Sequence, residues 1–122
     1  LHVIHPLTLN GACHNSAVKV FLEEGVLTKF KKNEYLVQQN EKTNQIGFIM
    51  SGMFRLSHID ADANEWIVGY SFVNDFVCDY PSFIKQATST VNIQATTECE
   101  VYLLSLNHVC RDIPTLIRFL LR

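Results

Sequence analysis

Hydrophobic and polar positions change places in short runs from Val26 to Ser105, and turn-forming residues separate the runs. Eight segments read as strands: Val26 to Phe30, Glu34 to Gln38, Gly47 to Met50, Met53 to Ile59, Glu65 to Phe72, Phe76 to Cys78, Ser89 to Thr96 and Cys99 to Ser105. They are rich in β-branched and aromatic residues, which pack well on a pleated surface. Strands this short and this evenly spaced predict a sandwich or barrel of jelly-roll type. Helical spacing is confined to the two ends. Asn15 or Ser16 can cap a helix whose Val18, Phe21 and Leu22 share a face, with Gly25 placed to end it. Asn107 can cap a helix through His108 to Asp112, and Pro114 suits the first turn of another, striped by Leu116, Ile117, Leu120 and Leu121.

With 122 residues, 48% hydrophobic and 18% charged, the chain fits one domain with a substantial core. Its expected parts are an N-terminal segment and helix (1–25), a β-barrel (26–105) and C-terminal helices (106–122). A net charge of −2 gives no electrostatic reason for this segment to bind nucleic acid. The one tight basic cluster, Lys29, Lys31 and Lys32, reads as a solvated strand end and turn. No apolar run approaches the about 18 residues of a membrane helix, and the N-terminus lacks the pattern of a secretory signal, so a cytoplasmic location is expected. Cys13, Cys78, Cys99 and Cys110 form no CxxC pair, which points to free thiols instead of a zinc site or disulfide scaffold. A chain that starts at Leu1 and stops at Arg122, inside a predicted helix, is expected to be a piece of a longer protein.

Three strand junctions share one signature, Asn followed by an acid: Asn33-Glu34, Asn40-Glu41 and Asn74-Asp75. Asn is the side-chain-bearing residue that best tolerates the left-handed backbone a tight turn demands. Between Asn74 and Ala95 the chain reads NDFVCDYPSFIKQATSTVNIQA: a short strand, Asp79-Tyr80-Pro81, an apolar turn at Phe83 and Ile84, a polar loop, and a strand. These turns, with Gly52 in IGFIMSGMFRLS, resemble the cyclic-nucleotide-binding domains, whose junctions usually carry Gly-Glu or Gly-Asp. The stretch 74–95 resembles their phosphate-binding cassette. The resemblance runs from Val26 to Arg122 and is strongest to Crp/Fnr-type transcription regulators carrying Asp-Tyr-x-Ser-Phe. It implies a mainly β, double-stranded β-helix (jelly-roll) barrel with flanking helices, serving as the effector domain of a regulator. It further implies a small-molecule effector with no certain cofactor, a homodimer in the full-length protein, DNA contact only through a domain outside this chain, no membrane association and no enzymatic activity.

Within that cassette Asp79 takes the family's acidic position, and ten residues on stands Ser89 where the family places a phosphate-clamping Arg. A hydroxyl cannot supply the charge or the planar fork of a guanidinium, so conventional cyclic AMP binding is not expected. Cys78 stands where the family has Gly. Asp79 can accept from a sugar hydroxyl or cap the turn that follows; both readings are open. Ser89 and Thr90 can donate to ligand oxygens or face water. Tyr80 and Phe83 can line a pocket or pack on the barrel mouth, and Val68 and Tyr70 are candidates for core or pocket wall. Arg55, between Phe54 and Leu56, is expected to face outward. His58 stands alone, and His2, His5, Cys13 and His14 read as a mobile end and not as a metal site. Two alternatives remain: a domain that binds no ligand and acts as a dimerisation or interaction scaffold, and a cupin-like metal enzyme.

Overall fold

The computed structural model describes residues 18–19 and 21–105. Among the described residues eight strands are present: β1 Val26–Phe30, β2 Tyr35–Val37, β3 Gln45–Ser51, β4 Phe54–Ile59, β5 Glu65–Ser71, β6 Phe76–Val77, β7 Asn92–Ala95 and β8 Cys99–Ser105. A short helix, α1, spans Tyr80–Lys85. The strands form two antiparallel sheets of four, ordered β1-β8-β3-β6 and β2-β7-β4-β5, which face each other without closing into a continuous barrel. Every expected strand is found, with end shifts of up to three residues. The predicted C-terminal helices and the Asn15 or Ser16 cap lie outside the described residues.

In the first sheet β3, β6 and β8 bury side chains on both faces, which is why they read as nearly continuous apolar runs, whereas β1 is largely exposed. On the inner face Ile49, Val77, Val101 and Leu103 meet Phe54, Leu56, Ile93 and Ala95 of the second sheet. On the outer face Ile46, Phe48, Phe76 and Leu104 pack with Phe21 and with Cys78, Tyr80 and Phe83 of the cassette. The rings of Phe21, Phe48 and Phe76 form a tilted cluster with centroids 5.1–6.3 Å apart. Residues 21–24 are helical, and the Gly25 amide donates to the Phe21 carbonyl at 2.9 Å. Phe21 is fully buried and Val18 packs beside it, whereas Leu22, expected on the same face, is exposed. The second sheet ends at β5, an edge strand on which Trp66, Ile67, Val68 and Tyr70 are all exposed.

The three Asn-acid junctions repeat one construction. Asn33, Asn40 and Asn74 sit at φ 75°, 73° and 71°, the left-handed region. Each Asn backbone amide donates to a carbonyl remote in sequence, those of Ala95, Ser89 and Ile49 respectively. Each following acid turns its carboxylate back to the amide three residues earlier: Glu34 to Lys31, Glu41 to Gln38 and Asp75 to Phe72, at 2.6–2.8 Å. Gly52 is a left-handed position of another kind, at φ 89°, where a Cβ would lie 2.5 Å from Cys99 Sγ and from the Glu98 carbonyl.

Candidate functional site

The second of these turns positions the cassette. The Asn40 amide donates to the Ser89 carbonyl at 2.8 Å, and the Ser89 amide donates to the Glu41 carbonyl at 2.6 Å. The Thr43 hydroxyl donates to the Ala87 carbonyl, and Lys42 forms a β-bridge with Thr88. The polar loop after α1 is thereby fastened to the mouth of the sandwich.

Helix α1 forms where the sequence provides both ends. Asp79 is its N-cap, Pro81 occupies the first turn where its missing N–H costs nothing, and Gln86 closes it in the left-handed conformation at φ 57°. The Asp79 side chain is buried, 3% exposed, and reaches well beyond the cap. Its Oδ2 accepts from the Thr90 amide at 2.8 Å, the Thr90 hydroxyl at 2.9 Å and the Ser82 hydroxyl at 2.9 Å. Oδ1 accepts a longer bond from the Ser82 amide at 3.4 Å. Ser89 Oγ lies 3.4 Å from Oδ2 but gives its proton at shorter range, 2.7 Å, to the Val91 carbonyl. Burial pushes the Asp79 carboxyl up, and the hydrogen bonds from Thr90 and Ser82 outweigh it, holding the group below its ordinary value. An ionised internal carboxylate thus binds the donors of the cassette loop.

The other expected residues separate into core and surface. Cys78 is buried in the outer cluster, where burial first and the Asp79 charge second drive its thiol far up, so it stays protonated. Tyr80 is buried too and donates to the Phe76 carbonyl at 2.7 Å. Burial, then the neighbouring Cys78 and Asp75, raise its hydroxyl well above the usual value. Ser89 is buried within the knot, and Tyr70 is exposed on β5 opposite Arg55. Arg55 faces outward as expected, 3.5 Å from Glu65 and donating to the Gln94 side-chain Oε1 at 3.2 Å.

Between α1 with its loop and the β4–β5 hairpin opens a cleft of about 660 Å³. Val68, Pro81, Ala87 and Val91 supply apolar wall; Lys85, Thr88, Thr90 and His58 supply polar groups, with Asp79 and Ser82 at its base. His58 is anchored through Nδ1 to the Thr90 carbonyl at 2.7 Å. On another side of Asp79 lies a smaller cavity of about 280 Å³, touched by Glu41, Lys42 and Ile93. Of the residues expected at a site, Val68, Asp79 and Thr90 meet at the larger cleft; Lys85, Thr88 and Pro81 were not foreseen. The signal for Lys85 was its place in the last turn of the helix inside the cassette. No group of three or more His, Cys, Asp or Glu side chains stands close enough to hold a metal among the described residues. No helix among them is long and apolar enough to cross a membrane.

Two facing antiparallel sheets with a capped helix and a polar loop folded over one mouth define a β-sandwich binding domain of the cassette type. The family model for the cyclic nucleotide-binding domain matches residues 27–111, well over half of the chain, and the chain belongs to that family. Solved structures of Crp/Fnr regulators share the fold. CLP, the c-di-GMP responsive global regulator of Xanthomonas campestris, superposes at TM-score 0.72 with 18% identity over 87% of this chain and 55% of its own. The catabolite activator protein of Thermus thermophilus gives TM-score 0.76 and 14% identity over 87% of this chain and 51% of its own. The sensor domain of the regulator DNR from Pseudomonas aeruginosa gives 0.71 and 15%, over 87% and 73%. The chain therefore spans about half the length of the first two. No curated protein matches it.

Proposed function

We propose that this chain is the effector-sensing domain of a Crp/Fnr-type transcription regulator, and that it does not hold cyclic AMP in the conventional way. The observation that carries this reading is the state of the cassette: Ser89 replaces the guanidinium, is 1% exposed, and has its hydroxyl committed to the Val91 carbonyl. The family membership, the open cleft beside the cassette and the fold shared with an isolated regulator sensor domain support the sensing role. In the full-length protein we expect a cytoplasmic homodimer, with DNA held by a helix-turn-helix encoded beyond Arg122 and no enzymatic step. A ligand acts in such a device only through unequal affinity for two arrangements of the protein.

Titration calorimetry with cyclic AMP and cyclic GMP is expected to give no complex at micromolar concentrations; a micromolar complex with cyclic AMP would contradict the reading of Ser89. A second reading, a scaffold that binds nothing, is favoured by one observation, the saturation of the cassette's donors by Asp79. A panel of small organic anions in the same titration separates the two, because the scaffold binds none of them.

A further inference from the structure

We propose that Lys85 is the charged anchor of the effector, and that the effector is a small organic anion: a carboxylate or phosphate carried on an apolar body. The proposal rests on the sensing role above and names the ligand class for the same cleft. The donors that a phosphate would use in the cassette already serve the Asp79 carboxylate. Arg55 is turned away and paired with Glu65. Lys85 lines the cleft, and among the described residues it joins neither ion pair, which engage Lys19 and Arg55.

The surroundings fit an anion with an apolar tail. Val68, Pro81, Ala87 and Val91 form one side, and Thr88 and His58 stand on the polar side with Lys85. His58 donates its Nδ1–H to the Thr90 carbonyl, so in the neutral ring Nε2 is an acceptor, and Lys85 and Thr88 are the donors left for a ligand oxygen. The one acid in this lining, Asp79, already has its charge answered by three short hydrogen bonds. By contrast, the smaller cavity around Lys42 is also lined by Glu41, a second carboxylate that the larger cleft lacks, which makes it a less favourable place for an anion. A volume of about 660 Å³ lies within the range of small-molecule sites, roughly 300–1,000 Å³. A lone ammonium is a point charge and not a fork, which suits one anionic group on a varied body.

The test is titration calorimetry of the full chain with hexanoate, benzoate and phenyl phosphate, beside hexanol, benzyl alcohol and benzylamine. At least one acid is expected to bind, its alcohol more weakly and the amine not at all. Lys85→Gln should weaken the bound acid by about tenfold or more, as loss of a charge-assisted hydrogen bond implies, while Lys85→Arg keeps its affinity within a few-fold. Equal binding of acid and alcohol, or an affinity untouched by Lys85→Gln, overturns the assignment and leaves the cleft a sensing site of another kind. Cyclic AMP bound equally by the parent chain and Lys85→Gln would do the same. If no compound of any class binds, both this inference and the sensing role fall.

Discussion

Asp79 and Lys85 stand at opposite ends of the same short helix, and their charges have opposite fates. Around Asp79 the loop folds inward until one buried oxygen accepts three short hydrogen bonds, from Ser82 and Thr90. At the other end Lys85 extends over an open cleft and joins no ion pair among the described residues. The first is structure: its groups are satisfied, and recruiting them to a ligand would mean breaking bonds already made. The second can meet a ligand without breaking any bond inside the protein, exchanging only its hydration for the new contact. A cassette can therefore keep its frame while its binding chemistry moves from one end of the helix to the other.

The comparison breaks most readily at Asp79. Asp79→Ala removes the cap and leaves buried donors unpaired, and is expected to destabilise the domain by about 2–4 kcal/mol in denaturant unfolding. A loss below 1 kcal/mol would show that the knot is loose. The same carboxylate gives a pH signature. Its folded value lies below its unfolded value of about 4, so its contribution is complete above that pH and is lost as pH falls through the folded value. Thermal melting from pH 6 to pH 2 should show this loss, and Asp79→Asn should flatten it. The turn that fastens the loop is the next test. Asn40→Ala forces a Cβ-bearing residue without Asn's local hydrogen bonding into a left-handed position and should cost about 1 kcal/mol, while Asn40→Gly stays within about 0.5 kcal/mol. Smallest is Lys85→Gln, expected to alter stability by no more than about 0.5 kcal/mol, since the side chain is exposed and makes no ion pair among the described residues.

Strand positions were legible because alternation and β-branched residues report local backbone preference directly. The left-handed turns were legible for the same reason: Asn33, Asn40 and Asn74 announce a conformation that few other side chains accept. The role of the acid after each Asn was missed, although the signal was present in the repeated offset to an amide three residues back. Asp79 could be read as a cap from Pro81 alone. Its bonds to Thr90, eleven residues on, depend on how the loop is pinned by Asn40, Glu41 and Thr43, which no local pattern reveals. Leu22 and the exposed apolar side chains of β5 were unreadable in the same sense, since burial there depends on which neighbour arrives and not on the residue itself.

The central claim is that the knot around Asp79 stays closed while a ligand engages the Lys85 end. Amide-resolved NMR during titration with phenyl phosphate measures both at once. The account predicts shifts centred on His58, Val68, Lys85, Ala87, Thr88 and Val91, with the Thr90 amide still protected from hydrogen exchange. Loss of protection at Thr90 on binding, with Lys85 unperturbed, would contradict it.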